Sequence, residues 1–221
     1  MGIAERKLRE KEERRALILD KARELVLERG VNAFTVQDIA NDCELSKATL
    51  YLYFDSKEAI LAEVLRTASD NFVSYVFARI KPEASGLEAL NALWGAFISL
   101  YGESEDIFVL IGIKNYLYPG FPFAPDVGFA GEESPEERLA VLIADVLGRG
   151  VRDGTLDANI EPDRLARTVI MVATGIVDAV ARLPRPKRDA KLIRAEMTNV
   201  FQILLRGLAA EGCDRSLLKL Y

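Results

Sequence analysis

The sequence predicts an all-α protein of about nine helices in two parts. Apolar residues recur at three- and four-residue spacing through most of the chain. Prolines and glycines gather at the breaks between those runs, and no stretch alternates apolar and polar residues as a half-buried strand would. Residues 1–55 are expected to form a small three-helix domain and residues 56–221 a larger helical one.

Each element has a local reason. From about Glu12 to Arg29, residues Ala16, Leu19, Ala22, Leu25 and Val26 keep helical spacing, and Gly30 stands where a helix favours a left-handed stop. Phe34 precedes Thr35 as a plug. Thr35 is a good N-cap for a run to about Asp42, with Val36, Ile39 and Ala40 inward. A tight polar turn holding Leu45 leads to Ser46, a second cap, and a run to about Phe54 with Leu50 and Phe54 on one side. Asp55 with Glu58 reads as a capping box that starts a helix to about Ile80. At ~1.5 Å per residue that helix is long enough to join two domains.

Pro82 to Gly86 breaks it. Leu87 to Tyr101 turns Leu90, Leu93, Trp94, Phe97, Ile98 and Tyr101 inward, and Asp106 to Tyr118 is dense in Phe108, Leu110, Ile111 and Tyr116. Pro119 to Ser134, rich in proline and glycine, reads as a long loop. Ser134-Pro135-Glu136-Glu137 opens a helix to about Arg152, closed by Asp153-Gly154. Glu161-Pro162-Asp163 opens another to about Leu183, and after Pro184 and Pro186 the last helix runs from Arg188 to about Glu211.

Two runs near the end are broadly apolar. Val169, Ala173, Ile176 and Val180 fall on one face of the eighth helix, with Met171, Thr174 and Asp178 opposite. The ninth places Met197, Phe201, Leu204 and Leu208 together. A helix apolar nearly all round is sandwiched between two partners, so these residues are expected to form a homodimer interface of two helices from each subunit.

The composition narrows the function. The chain has 221 residues, half of them hydrophobic and 29% charged, with a net charge of −5, ordinary for a globular protein. Acidic and basic residues nearly balance over the first sixty positions, so any nucleic-acid affinity depends on local placement: the tail of Arg6, Lys7, Arg9, Lys11, Arg14 and Arg15, then Lys47, Lys57 and the helix starts. Cys43 and Cys213 fit no metal or redox spacing, and Cys43 reads as a small buried hydrophobe. No secretory signal and no run of ~20 apolar residues is present. A cytoplasmic protein without membrane partner, metal or cofactor is expected. There is no histidine and no phosphate-cradling glycine loop, which argues against an enzyme.

Thr35 to Lys57, TVQDIANDCELSKATLYLYFDSK, has the form of a helix-turn-helix, whose second helix enters a major groove. The segment ELSKATLYLYFDSKEAIL resembles the DNA-binding signature of the TetR family of bacterial transcriptional regulators, and the likeness covers roughly Arg14 to Leu65. The chain departs from that pattern at Glu44 and Ala48, where glycine is common, and at Leu52, usually polar or aromatic. A non-glycine in a left-handed turn costs about 1 kcal/mol. The resemblance implies a homodimer that binds palindromic double-stranded operator DNA and answers to a small-molecule effector, most often as a repressor.

For DNA contact the candidates are Thr35, Ser46, Lys47, Ala48, Thr49, Tyr51, Tyr53 and Lys57. Thr35 and Ser46 cap helix starts that suit a phosphate, Lys47, Lys57 and Tyr53 reach phosphates, and Thr49 and Tyr51 read base edges. For a largely apolar effector the candidates are Trp94, Phe97, Tyr101, Phe108, Ile111, Tyr116, Met171, Thr174 and Asp178. Asp178, a carboxylate in an apolar segment, needs a partner: a cationic ligand or an Arg of the same chain. The competing reading is a helical protein–protein adaptor, which predicts no salt-sensitive binding to duplex DNA.

Overall fold

The computed structural model describes residues 2–119 and 134–220. Among the described residues the chain folds into α1 (Ile3–Arg29), α2 (Val36–Asp42), α3 (Lys47–Leu50), α4 (Lys57–Phe77), α5 (Gly86–Glu103), α6 (Glu105–Leu117), α7 (Pro135–Asp153), α8 (Pro162–Arg182) and α9 (Ala190–Leu208). Two 3₁₀ turns, Arg185–Lys187 and Arg215–Leu218, flank α9. One antiparallel bridge, Leu156 with Ala209, takes the place of any strand among these residues. The interior of the loop expected over Pro119–Ser134 lies outside the described residues.

The chain divides into two compact units, Met1–Thr67 and Ala68–Tyr221. The division falls inside α4 rather than at residues 55/56. Ile60, Leu61, Val64 and Leu65 of α4 are buried yet lie outside the core cluster of the second unit, which takes up α4 only from Phe72 onward. The opening turns of α4 therefore complete the first unit. Its start also differs from expectation: Ser56 Oγ, not Asp55, accepts the N–H of Ala59 at 3.0 Å.

In the first unit α1 is longer than its apolar pattern, because residues 4–14 are exposed and are laced by i,i+4 ion pairs, Arg6–Glu10 at 3.1 Å and Arg9–Glu13 at 3.4 Å. Ile18, Ala22, Leu25 and Val26 form its buried face. Ala16 is exposed and Leu19 half-buried, so the inward stripe runs through Ile18 instead. Cys43 is buried beside Leu17, its sulfur 3.9 Å from that carbonyl, and burial pushes the thiol above its ordinary pKa.

In the second unit α5 packs on α7 and α9, and α8 packs on α6 and α7. Phe97 sits at the centre of an edge-to-face cluster, with ring centroids 5.6 Å from Phe72, 5.0 Å from Phe108 and 5.2 Å from Phe201. Trp94 stacks on Phe201 at 5.3 Å. Capping boxes at Ser85/Glu88 and Ser134/Glu137 start α5 and α7, and Gly154, at φ 76°, ends α7 in the left-handed region. Asp153 Oδ2 then accepts the N–H of Gly86 at 2.8 Å and ties the end of α7 to the start of α5.

Two helix crossings depend on the absence of a side chain. A Cβ on Gly86 would lie 2.1 Å from the backbone of Gly150, and a Cβ on Gly112 would lie 2.3 Å from the Cβ of Ala181. The first crossing joins α5 to α7 and the second α6 to α8. Gly112→Val is expected to force α6 off α8 and lower stability by about 1–3 kcal/mol. Urea denaturation followed by circular dichroism measures it; an unchanged midpoint would refute the close approach.

Candidate nucleic-acid interface and interior cavity

The first unit presents a short, doubly capped turn. Thr35 closes a capping box: its Oγ1 accepts the N–H of Asp38 at 3.3 Å and donates to Asp38 Oδ2 at 2.7 Å, while its own N–H donates to Oδ2 at 2.6 Å. The Thr35 hydroxyl and amide hold the Asp38 carboxyl below its usual range. The box is therefore complete at neutral pH and is lost as pH falls through that lowered value. Thr35, expected at a phosphate, is thus committed to Asp38, and that carboxylate repels an anion there.

After α2 the chain turns through Glu44 at φ 55°, the left-handed conformation that its place in the motif requires. Ser46 Oγ accepts the N–H of Thr49 at 3.0 Å, and the two hydroxyls are 2.8 Å apart. The regular part of α3 is only Lys47–Leu50; turns carry it on, with Tyr53 N–H donating to Leu50 O at 2.9 Å. Leu50 and Phe54 are buried, as their spacing requires. Opposite them Lys47, Ala48, Tyr51 and Leu52 are exposed, Leu52 by 78%, whereas Thr49 and Tyr53 are half-buried. The Lys47 ammonium lies 5.9 Å from the centre of the Tyr51 ring. Leu52 was noticed in the sequence only as a departure from the pattern, yet it is the most exposed apolar side chain of the segment.

Lys57 is not a free surface cation. Its Nζ donates to the carbonyls of Val31 at 2.7 Å and Phe34 at 2.5 Å, and sits 4.1 Å from the centre of the Phe34 ring. The loop after α1 ends in carbonyls that need a donor, and Lys57 supplies it from the start of α4. Those contacts occupy the ammonium that was expected at a phosphate. On the other side Arg15 pairs with both carboxylate oxygens of Glu63 and lies over the Phe54 ring at 4.7 Å, holding α4 and the recognition segment to α1.

The second unit encloses an apolar cavity of about 70 Å³. Of the expected effector residues, Trp94, Phe97, Ile111 and Thr174 line it. Tyr101 and Phe108 are buried in the adjoining core, while Tyr116 is 83% and Met171 47% exposed. Asp178 accepts a hydrogen bond from Asn115 Nδ2 at 3.0 Å, and Asn115 lines the cavity.

Several residues expected at a dimer interface face inward. Val169, Ala173 and Phe201 line the cavity, and Val180 and Met197 are buried in the same core. Ile176, Leu204 and Leu208 are half-buried against it. The inward side of α8 thus takes in Val169 and Ala173 of the expected interface together with Thr174 of the expected effector face. With apolar residues on both sides of α8, spacing shows that two faces are covered but not which one meets its own chain.

The sequence reading missed three polar residues of the cavity: Ser69, Asn115 and Glu136. Ser69 had a signal, since it interrupts the inward stripe of Leu65, Phe72 and Val76. Its Oγ and the Nε1 of Trp94 are buried without a hydrogen-bond partner among the described residues, a cost of roughly 1–3 kcal/mol for each such group. Glu136 is paired with the buried Lys114 at 3.1 Å.

A buried three-helix frame that holds a short helix outward defines the class: a helix-turn-helix regulator. Residues 18–64 match the family described as bacterial regulatory proteins, tetR family. The HTH-type transcriptional repressor KstR2 of Rhodococcus jostii is 30% identical over 149 residues, covering 67% of this chain and 70% of that protein. The structure of ketosteroid transcriptional regulator KstR2 of Mycobacterium tuberculosis superposes with a TM-score of 0.60 at 25% identity, covering 90% of this chain and 96% of that one. FadR from Bacillus subtilis, in complex with stearoyl-CoA, shares the fold with a TM-score of 0.64 at 19% identity, over 87% and 98% of the two chains. The chain belongs to the TetR family of bacterial transcriptional regulators. It is a regulator of transcription and not an enzyme.

Lys57→Ala is expected to leave the Val31 and Phe34 carbonyls without their donor and to lower stability by roughly 1–3 kcal/mol. Urea melts of the variant test the clamp. If Lys57 instead served a phosphate, the melts would match wild type and the salt dependence of DNA binding would change.

Proposed function

We propose that the chain is a homodimeric repressor that binds a palindromic operator and is released by an effector with an apolar body. The carrying observation is the outward face of the recognition segment: Lys47, Ala48, Tyr51 and Leu52 are exposed on a turn whose other side is buried. Lys47 suits a phosphate, Ala48 permits close approach to the groove floor, and Tyr51 and Leu52 suit base edges and thymine methyl groups. Thr49 and Tyr53, being half-buried, contribute mainly their polar tips. Two such segments about a two-fold axis would meet half-sites about 34 Å apart, or somewhat more.

The effector reading rests on the cavity. Its walls are apolar and its buried polar atoms, Ser69 Oγ and Trp94 Nε1, suit one carbonyl or hydroxyl on an otherwise apolar ligand. The named ligand of the Bacillus FadR makes an acyl-CoA thioester the first class to test. At about 70 Å³ the cavity is far smaller than the ~300 Å³ or more of typical ligand pockets, so entry requires it to open. Ser69, Phe72, Val73 and Val76 form the wall contributed by α4. A ligand that opens the cavity therefore selects a shifted α4, the helix whose first turns belong to the DNA-binding unit. A hundredfold loss of operator affinity corresponds to about 2.7 kcal/mol of coupling, within the ordinary range.

The dimer surface belongs to the opposite faces of α8 and α9 from those expected. Met171, Gly175 and Ala179 form an exposed stripe on α8, and Leu192 and Ile203 are 57% and 69% exposed on α9. Small residues among large apolar ones allow a second copy to approach closely.

Selecting bound duplexes from a random pool is expected to return a palindrome, and the double variant Lys47→Ala, Tyr53→Ala to lose it. A folded double variant that holds the selected duplex as tightly as wild type refutes the recognition reading. Saturated and branched acyl-CoA thioesters of graded length, titrated against the protein–operator complex, are expected to include one that weakens it about a hundredfold, or 2.7 kcal/mol. A thioester that binds yet leaves operator affinity unchanged refutes the switch. Ile203→Glu is expected to give monomers in sedimentation while keeping helical content, and a dimer that persists would place the interface elsewhere.

A further inference from the structure

The N-terminal turns of α1 carry a charge pattern that the helix-turn-helix does not account for. Lys7, Lys11, Arg14, Ile18, Ala22 and Leu25 follow one another at four- and three-residue steps, so they lie along one face of the helix. The lower half of that face, Ile18, Ala22 and Leu25, is buried in the first unit. Above Ile18 the positions Lys7, Lys11 and Arg14 on the same face are exposed and basic. The acids of this region, Glu5, Glu10, Glu12 and Glu13, occupy the other faces.

The six basic residues of the tail are not equivalent. Arg6 and Arg9 are neutralised by Glu10 and Glu13, and Arg15 is held by Glu63. Lys7, Lys11 and Arg14 form no ion pair or hydrogen bond among the described residues. Of the three, Lys11 lies beside the recognition segment. Leu8, Lys11, Glu12 and Arg15 share a shallow groove with Leu52 and Tyr53, at the C-terminal end of the recognition segment. A face that packs on protein along its lower half and is basic above it, with Lys11 beside Leu52 and Tyr53, suits an anionic surface next to that segment.

We propose that Lys7, Lys11 and Arg14 form an auxiliary stripe that binds the phosphate backbone flanking each half-site. This rests on the DNA-binding reading above. It assigns affinity without base preference to α1, and sequence discrimination to the recognition segment. Each phosphate neutralised releases condensed counterions and contributes about 0.9 to the slope of log K against log salt.

The test compares wild type, the triple variant K7Q/K11Q/R14Q and the double variant R6Q/R9Q, by anisotropy on a selected duplex across a salt series. The triple variant is expected to lose about 2 to 3 from the salt slope per subunit while selecting the same bases. R6Q/R9Q, whose charges are already paired, should lose less than one. Equal melting temperatures confirm that the exposed substitutions leave the fold intact. An unchanged slope for the triple variant, or equal losses in both variants, overturns the stripe while leaving recognition standing. A wild-type chain that binds no duplex at all overturns the DNA-binding reading, and the stripe with it.

Discussion

A four-residue helix has no independent stability in water, because nucleating a turn fixes several dihedral angles for very few hydrogen bonds. The recognition segment of this protein, Lys47–Leu50 with its following turns, is such a helix. It exists because Leu50 and Phe54 are buried where α3 packs on α2 and Arg15 of α1 covers Phe54, and because Ser46 satisfies its first turn. Arg15, stacked on Phe54 and paired with Glu63, and Lys57, bridging two carbonyls and the Phe34 ring, fix the frame around it. The side chains that face outward are placed only as well as that buried seam places them.

The second unit obeys a different constraint. Its helices approach so closely at Gly86–Gly150 and Gly112–Ala181 that a single methyl group would separate them. Close crossings and an aromatic cluster around Phe97 fill most of the interior, yet the space between α4, α5, α6, α7 and α8 stays partly open. Ser69 and Trp94 keep polar atoms there without partners among the described residues, and Asn115 anchors Asp178 at its edge. A core that leaves polar groups unsatisfied forgoes stability, and a site that answers to a ligand is where such a concession has a use.

Legibility in the sequence followed how local each determinant is. The capped turn was readable because Thr35, Ser46, Ile39, Ala40, Leu50 and Phe54 act within a few residues of one another. Glu44 was readable as a left-handed position because the motif demands one there. Where two residue types compete for one role the reading slipped: Ser56 rather than Asp55 caps α4, and Ile18 rather than Leu19 enters the core. Thr35 and Lys57 were placed at phosphates because their partners, Asp38 across a turn and Val31 with Phe34 across a loop, are visible only once the chain is folded. Which apolar residues of α8 and α9 turn inward is hidden from the sequence for the same reason. Val169 and Phe201 line the cavity, whereas Met171 and Ile203 lie on the surface.

The residues by themselves determined the helical class, the order of the elements and the presence of a recognition segment, because caps, breakers and apolar spacing operate over one or two turns. Only the tertiary structure decided which cation is free and which is paired, which apolar face meets the subunit's own core, and where the division between the two units falls within α4. Those choices turn on distances between segments far apart in the chain. A periodic pattern records that a face is covered, and packing alone determines by what.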